Sequence, residues 1–259
     1  MRKVFAIGQV VVLEMLRRKD FYVLFILTAL LTVALGSMSF IGQSSMARYM
    51  KELCLSLIWI SILVMAVTTS ARQIPAEREQ RKIMPLLAKP VSRWQMILGK
   101  FLGCWMVCGG ALLVFYLFFG VVVLSREKSM DWVLVIQAGI LHWTLAAVLV
   151  SMALMGSLIL STPAANSTLC ILLAGGLLFM GRHLNQVAMG LVEPIRTLLQ
   201  LAYYTLPHLE FYDLRDMLVH NHPPVRALSV LWAIVYGFCY TTLFLVVTWG
   251  LFRKKPINS

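Results

Sequence analysis

Six long apolar runs separated by polar stretches set the rhythm of this chain. They cover 21–42, 53–69, 96–124, 132–160, 163–181 and 227–252. Each is near the roughly 20 residues that a helix needs to cross a hydrocarbon core. In lipid an open strand edge would leave its N–H and C=O groups without water, so these runs predict helices rather than sheet. The pattern therefore predicts an all-α integral membrane protein, one membrane domain over 1–259, with six spans. The fifth run is the most interrupted, with Gly175-Gly176 inside it and Arg182-His183 at its end. No internal repeat or low-complexity segment is evident.

The polar stretches have characters of their own. In 1–20, Lys3, Glu14, Arg17 and Arg18 fall in one helical arc opposite Phe5, Val12 and Leu16, although Ile7 and Val10 intrude. That pattern predicts a helix lying along a membrane surface. In 72–93, Pro75 can open a helix. Glu77 pairs with Arg81 at i,i+4 and Glu79 with Lys82 at i,i+3. Ile83, Leu86 and Leu87 give this helix an apolar edge, and Pro85 kinks or ends it. Ser92-Arg93-Trp94-Gln95 then reads as a capping box opening the third span. The stretch 182–226 contains Tyr203-Tyr204-Thr205-Leu206-Pro207-His208-Leu209-Glu210-Phe211-Tyr212-Asp213, half apolar and tyrosine-rich, as suits a membrane–water interface.

Composition narrows the class. With 60% hydrophobic and 13% charged residues, an ordinary soluble domain is excluded. In a soluble protein a net charge of +12 would suggest nucleic acid. Here it fits loops facing anionic lipid headgroups, and no nucleic-acid partner is expected. Fifteen of the 23 Lys and Arg fall in 1–20, 72–100 and 253–255. The positive-inside rule then puts both termini and the 72–93 loop in the cytoplasm, and 182–226 outside. Lys3, Arg17, Arg18 and Lys19 at one end of the chain, and Trp249, Arg253, Lys254 and Lys255 at the other, read as membrane-interface anchors.

Candidate chemistry is sparse. The five cysteines lie in or beside apolar runs and read as buried apolar side chains. His208, Asp213, Asp216, His220 and His222 read as loop polarity rather than a metal set. His142 is the one central titratable group of the spans besides thiols, and it reads as an interhelical hydrogen-bonding residue. Ion-coupled carriers usually keep carboxylates or basic groups at membrane depth, so their absence disfavours ion-driven transport. No G-x-x-x-x-G-K-[ST] occurs, so the chain itself cannot cradle ATP phosphates in a P-loop.

The string Glu79-Gln80-Arg81-Lys82-Ile83-Met84-Pro85-Leu86-Leu87-Ala88-Lys89-Pro90-Val91-Ser92-Arg93, with Gly99-Lys100 after it, resembles the first cytoplasmic loop of type-2 ABC exporter permeases. That family's pattern is E-x-G-T-[LI]-x-x-L-L-x-x-P-[VI]-S-R followed by G-K. The chain departs from it at Arg81 and Lys82, where commoner members carry Gly-Thr. The resemblance implies a coupling helix, with Glu77, Arg78, Glu79, Arg81, Lys82, Lys89, Pro90 and Arg93 facing a separate P-loop ATPase subunit. ATP and Mg²⁺ would bind that subunit, and no cofactor would bind this chain. It also implies an N-terminal connecting helix and a short re-entrant helix between spans five and six. The assembly would pair two permease copies, or this chain with a sister permease, in the inner membrane of a prokaryote. Lys89-Pro90-Val91-Ser92-Arg93-Trp94 is most similar to the branch serving multicopper-enzyme and nitrous-oxide-reductase maturation. The rival reading is a membrane scaffold that has this fold but moves nothing.

The orientation is testable by thiol labelling in a cysteine-free background. A Glu79→Cys chain in intact cells is expected to react with a membrane-impermeant maleimide only after permeabilisation. Labelling from outside would invert the topology.

Overall fold

The computed structural model describes residues 2–17, 20–37, 43–75, 92–125, 131–160, 162–189 and 192–254. All regular structure among them is helical. The helices are α1 (Arg2–Arg17), α2 (Asp20–Ser37), α3 (Gln43–Ala71), α4 (Arg93–Leu124), α5 (Trp132–Ile159), α6 (Pro163–Met189), α7 (Ile195–Thr205), α8 (Arg215–Val219) and α9 (Ala227–Lys254), with a 3-10 turn at Leu209–Tyr212. Over the described residues each predicted apolar run lies on one helix, and Arg2–Arg17 of the first polar stretch forms α1. By length and composition α3, α4, α5 and α9 can each cross a membrane, while α2 and α6 carry shorter apolar stretches, Tyr22–Thr32 and Pro163–Leu178. Two helices outrun their apolar patterns. α3 begins ten residues before position 53, and α6 runs on past 181 to Met189.

Local chemistry explains the helix starts. Ser92 Oγ accepts from the Gln95 N–H at 3.3 Å and Gln95 Oε1 accepts from the Ser92 N–H at 3.1 Å, the predicted capping box. Asp131 caps α5 by accepting from the N–H groups of Val133 and Leu134. The polar first turns of α3 are held in part by Lys51, which is buried and whose Nζ donates to Asn221 Oδ1 at 2.9 Å.

The core is built around α3, α4 and α5. Nearly every residue of α5 from Leu141 to Leu158 is buried. Trp105 of α4 and Trp143 of α5 stack at 4.4 Å. Each indole N–H donates to the other residue's carbonyl, at 2.9 and 3.2 Å. Gly109 makes this approach possible, since a Cβ there would sit 2.6 Å from Trp143 Nε1. His142 occupies the predicted interhelical role, with Nδ1 2.7 Å from the Tyr116 hydroxyl on α4. Helix α2 docks through Phe25 on Phe115 and Phe118. α9 packs one face on α5 and turns Leu228, Leu231, Trp232, Val235, Leu243 and Val246 outward. In a bilayer such an apolar face is solvated by lipid.

α4 runs away from the end where the 72–93 loop emerges (the loop end) towards α5's first residue at the opposite, far end. α1 lies against the first turns of α4 at the loop end. Gly8, Gly99 and Gly103 bring the two backbones together, and Ile7 and Val11 seal the contact. This explains why Ile7 interrupts the polar arc of α1: it faces α4. Phe5 and Leu13 are exposed on another face, and Lys3, Glu14 and Arg17 are exposed on a third. Three faces of this kind suit a helix touching protein, lipid and water at once.

At Gly103 a Cβ would lie 2.7 Å from Val11 Cβ and 2.9 Å from the backbone oxygen of Gly8, which cannot rotate aside. Gly103→Ala is therefore expected to destabilise by roughly 1–3 kcal/mol, the usual cost of overpacking. Gly110 has nothing within 4 Å of its Cβ position, so Gly110→Ala is expected to be neutral or stabilising. Thermal unfolding of both variants in detergent checks the pair. Equal melting temperatures would refute the close α1–α4 approach.

Candidate functional site

The 72–93 segment joins α3 to α4, and both of its described feet, 72–75 and 92–93, are pinned. At the first foot α3 ends at Ala71, turns through Arg72–Ile74, and Pro75 is again helical. Gln73, Ile74 and Pro75 are buried. Lys100, two turns into α4, is 1% exposed, and its Nζ donates to the Gln73 carbonyl at 2.7 Å. A cation here lies near the negative end of the α3 dipole and satisfies a buried carbonyl of the turn that follows the helix. At the second foot Arg93 opens α4. Its Nη1 donates to the carbonyls of Phe252 and Arg253 at 2.6 and 3.0 Å. The guanidinium also lies 5.4 Å from the Phe252 ring centroid. Next to it Trp94 meets Trp249 edge-on at 6.3 Å, and Arg253 lies over the Trp249 ring at 5.9 Å. Thus the first turns of α4 bind both the turn that follows α3 and the last turn of α9.

The far end carries a second polar constellation. After α6 the chain enters α7, whose last residue, Thr205, offers its carbonyl to the Tyr240 hydroxyl at 3.1 Å. Tyr240 lies midway along α9, so this segment dips to the middle of the bundle. The return is stitched by tyrosines. The His208 N–H donates to Tyr236 Oη at 3.1 Å, and the Tyr212 hydroxyl donates to the Ala233 carbonyl at 3.1 Å. Tyr212 is fully buried. It reaches Ala233 because position 237 is glycine, where a Cβ would sit 2.6 Å from the Tyr212 hydroxyl. Arg215 then binds Asp213 through both Nε and Nη2 at 2.8 Å, donates to Ser56 Oγ at 3.2 Å, and covers the Trp59 ring at 4.7 Å. At the final return, Gln137 of α5 pairs its amide with both backbone groups of Val225, at 2.8 and 3.0 Å.

The family model for ABC-2 family transporter proteins matches residues 14–255, which takes in both loop feet and the re-entrant segment. The chain belongs to the ABC-2 family of transporter proteins. It is the permease component of an ABC transporter and is embedded in a membrane. No curated protein matches it.

Of the predicted coupling residues of this permease, Arg93 lies in the described structure, where it engages α9. Glu77, Arg78, Glu79, Arg81, Lys82, Lys89 and Pro90 lie outside the described residues, as do the anchors Arg18, Lys19 and Lys255. Lys3 and Arg17 are exposed on α1, Arg253 is exposed at the end of α9, and Lys254 is that helix's last residue. Trp249 joins the second foot. Sequence reasoning counted Lys100 as loop charge and as the lysine of the Gly-Lys motif, and missed it as a buried residue that binds the turn after α3. Its signal was a lysine seven residues after Arg93 inside an apolar helix, where a buried cation needs a fixed acceptor. It also missed Gln137, Tyr236 and Tyr240, which are ordinary polar intrusions in apolar runs. Among the described residues no group of three His, Cys, Asp or Glu is placed to hold a metal ion.

Burial pushes the Asp213 carboxyl up, but its hydrogen bonds from Arg215 and that residue's charge outweigh this and hold it below the usual carboxylate range. A depressed folded value means that the clamp's contribution is full above the unfolded value of about 4 and is lost as pH falls through the lower folded one. Asp213→Asn is therefore expected to lower stability at pH 7 by about 1 kcal/mol, a charged hydrogen bond discounted for partial exposure. The difference from wild type should begin to shrink as pH falls below about 4 and close below the lower folded value, where both side chains are neutral. A constant difference down to pH of about 3 would show that the charge contributes nothing.

Proposed function

We propose that this permease belongs to an ATP-driven exporter and is coupled through its 72–93 loop to a separate P-loop ATPase subunit. That subunit supplies the sites for ATP and Mg²⁺, and this chain binds no cofactor. The permease works as a pair, with a second copy or a sister permease, in the cytoplasmic (inner) membrane of a prokaryote. Both termini and the loop face the cytoplasm, and 182–226 faces outward. The maturation-permease branch, with a sulfur- or copper-related cargo, is the proposed subgroup, on the strength of Lys89-Pro90-Val91-Ser92-Arg93-Trp94.

The observation that carries this reading is the pinning of both loop feet. Charged caps satisfy carbonyls at helix ends, and here they also fix the loop's two roots in place. Lys100 secures the first root to α4, and Arg93 secures the second to α9. A force applied to the loop by a partner would then reach two helices of the bundle rather than be absorbed in slack chain. In energetic terms the bundle has two packings of similar free energy, and nucleotide binding in the partner biases them.

Glu77 and Glu79 are the acids of this loop, so reversing both (Glu77→Lys with Glu79→Lys) tests the docking face. Cations at a helix N-terminus cost about 0.3–1 kcal/mol each. Losing the Arg81 and Lys82 pairs costs about 0.2–0.5 kcal/mol each. Those losses leave the spans folded, so membrane yield should stay near normal. Co-purification of the ATPase subunit with the tagged permease should collapse. A double mutant that retains its ATPase and full nucleotide-driven activity would sink the coupling assignment.

A further inference from the structure

Lys100 and Arg93 are seven residues apart, two helical turns, and project from one face of α4 about 10 Å apart along its axis. Lys100 binds the Gln73 carbonyl in the turn that follows α3, and Arg93 satisfies last-turn carbonyls of α9. Neither contact is a generic surface ion pair. Lys100 is fully buried, so water cannot replace its bond to Gln73 without opening the bundle. Arg93 makes two charge-assisted bonds and covers the Phe252 ring, which fixes the direction of the contact as well as its strength. The two helices held in this way lead to separate parts of the far end. α3 carries α8, which packs on it. α9 carries the tyrosines that stitch the re-entrant turn.

We propose that Lys100 and Arg93 are positioning residues that divide the movement of the 72–93 loop between two outputs, Lys100 locking the turn that follows α3 against α4 and Arg93 tying the start of α4 to α9. The proposal rests on the coupling reading above and adds to it a division of labour between two side chains. A purely structural role would weaken the bundle as a whole. A divided tether predicts that each substitution silences one output and spares the other.

The test uses the permease–ATPase complex captured through a tag on this chain, in a Cys239→Ser background that removes the exposed thiol. Two reporters are read by maleimide labelling: Met217→Cys on α8, and Leu228→Cys on the first turn of α9, both at exposed positions. Rates are compared without nucleotide and after trapping with ATP–Mg²⁺ and orthovanadate. In the parent complex both rates are expected to respond to trapping. Lys100→Met, which keeps length and removes the charge, should cut the response at 217 by about tenfold, the scale of losing one hydrogen bond to a charged group. It should leave the response at 228. Arg93→Gln should do the reverse, and Lys100→Arg and Arg93→Lys should each restore part of the lost response.

Variants that keep both responses, or that lose both equally, overturn the proposal. If Lys100→Met does not accumulate, the Arg93→Gln complex decides alone: an unchanged response at 228 overturns the tether, and its selective loss supports it. A parent complex that binds no ATPase, or shows no response to trapping, overturns the coupling reading and the tether with it.

Discussion

Backbone carbonyls without water are the constraint on which this structure depends. Inside a hydrocarbon layer each C=O and N–H must find its partner within the protein. Regular helices meet that demand along their lengths, which is why the apolar runs of this chain are helical. They do not meet it at their ends, nor where the chain turns back inside the bundle. At those places the permease uses long polar side chains. Lys100 serves the turn after α3, Arg93 the end of α9, and Tyr240 the end of α7. Gln137 pairs with both backbone groups of Val225, much as a neighbouring strand would. These long polar side chains serve the irregular backbone, whereas buried hydroxyls within the helices, such as Thr32, Ser151 and Ser157, return to carbonyls of their own helix.

The same constraint decides how much of the molecule was legible in its sequence. The apolar runs located the helices because hydrophobicity and length act locally. The capping box at Ser92 and the Asp131 cap were readable or regular for the same reason, since their donors lie within three residues. The loop feet were not legible, because their contacts join residues far apart. Lys100 meets Gln73 across 27 residues, and Arg93 meets Phe252 across 159. Nothing in either neighbourhood marks those partners. Tyr236 and Tyr240 were hidden in the same way: each is one more aromatic in an apolar run until the re-entrant backbone arrives beside it.

Glycine illustrates a subtler limit. Twelve glycines have a described surrounding, and their sequence contexts look alike. Four of the closest approaches in the fold depend on Gly99, Gly103, Gly109 and Gly237, whereas Gly110, Gly175 and Gly176 have nothing within 4 Å. Small residues matter in membrane bundles because burial from water does not drive helix association there, so close van der Waals contact does. Which glycine makes such a contact is a property of the partner helix. Ile7 shows the converse. It looked like a flaw in the amphipathic pattern of α1, yet it is the side chain that meets α4 at Gly99.

The distribution of polar pins also bears on how the bundle can move. Between α4 and α5 the stacked indoles and the Tyr116–His142 bond hold the middle of the interface rigidly. α9 is held differently. Arg93 grips its loop end, and the tyrosines hold it from mid-helix upwards to the re-entrant turn, while much of its outer face meets only lipid. Apolar side chains can slide past lipid at little cost, but a charged or hydroxyl bond to a buried carbonyl breaks only at the cost of an unsatisfied group. An element pinned by polar contacts at chosen heights and greased by lipid elsewhere moves by pivoting about its pins. The arrangement therefore opposes sliding of α9 along the α4–α5 pair, against which its inner face also packs. Tyr212, Tyr236 and Tyr240 bind the re-entrant turn to α9.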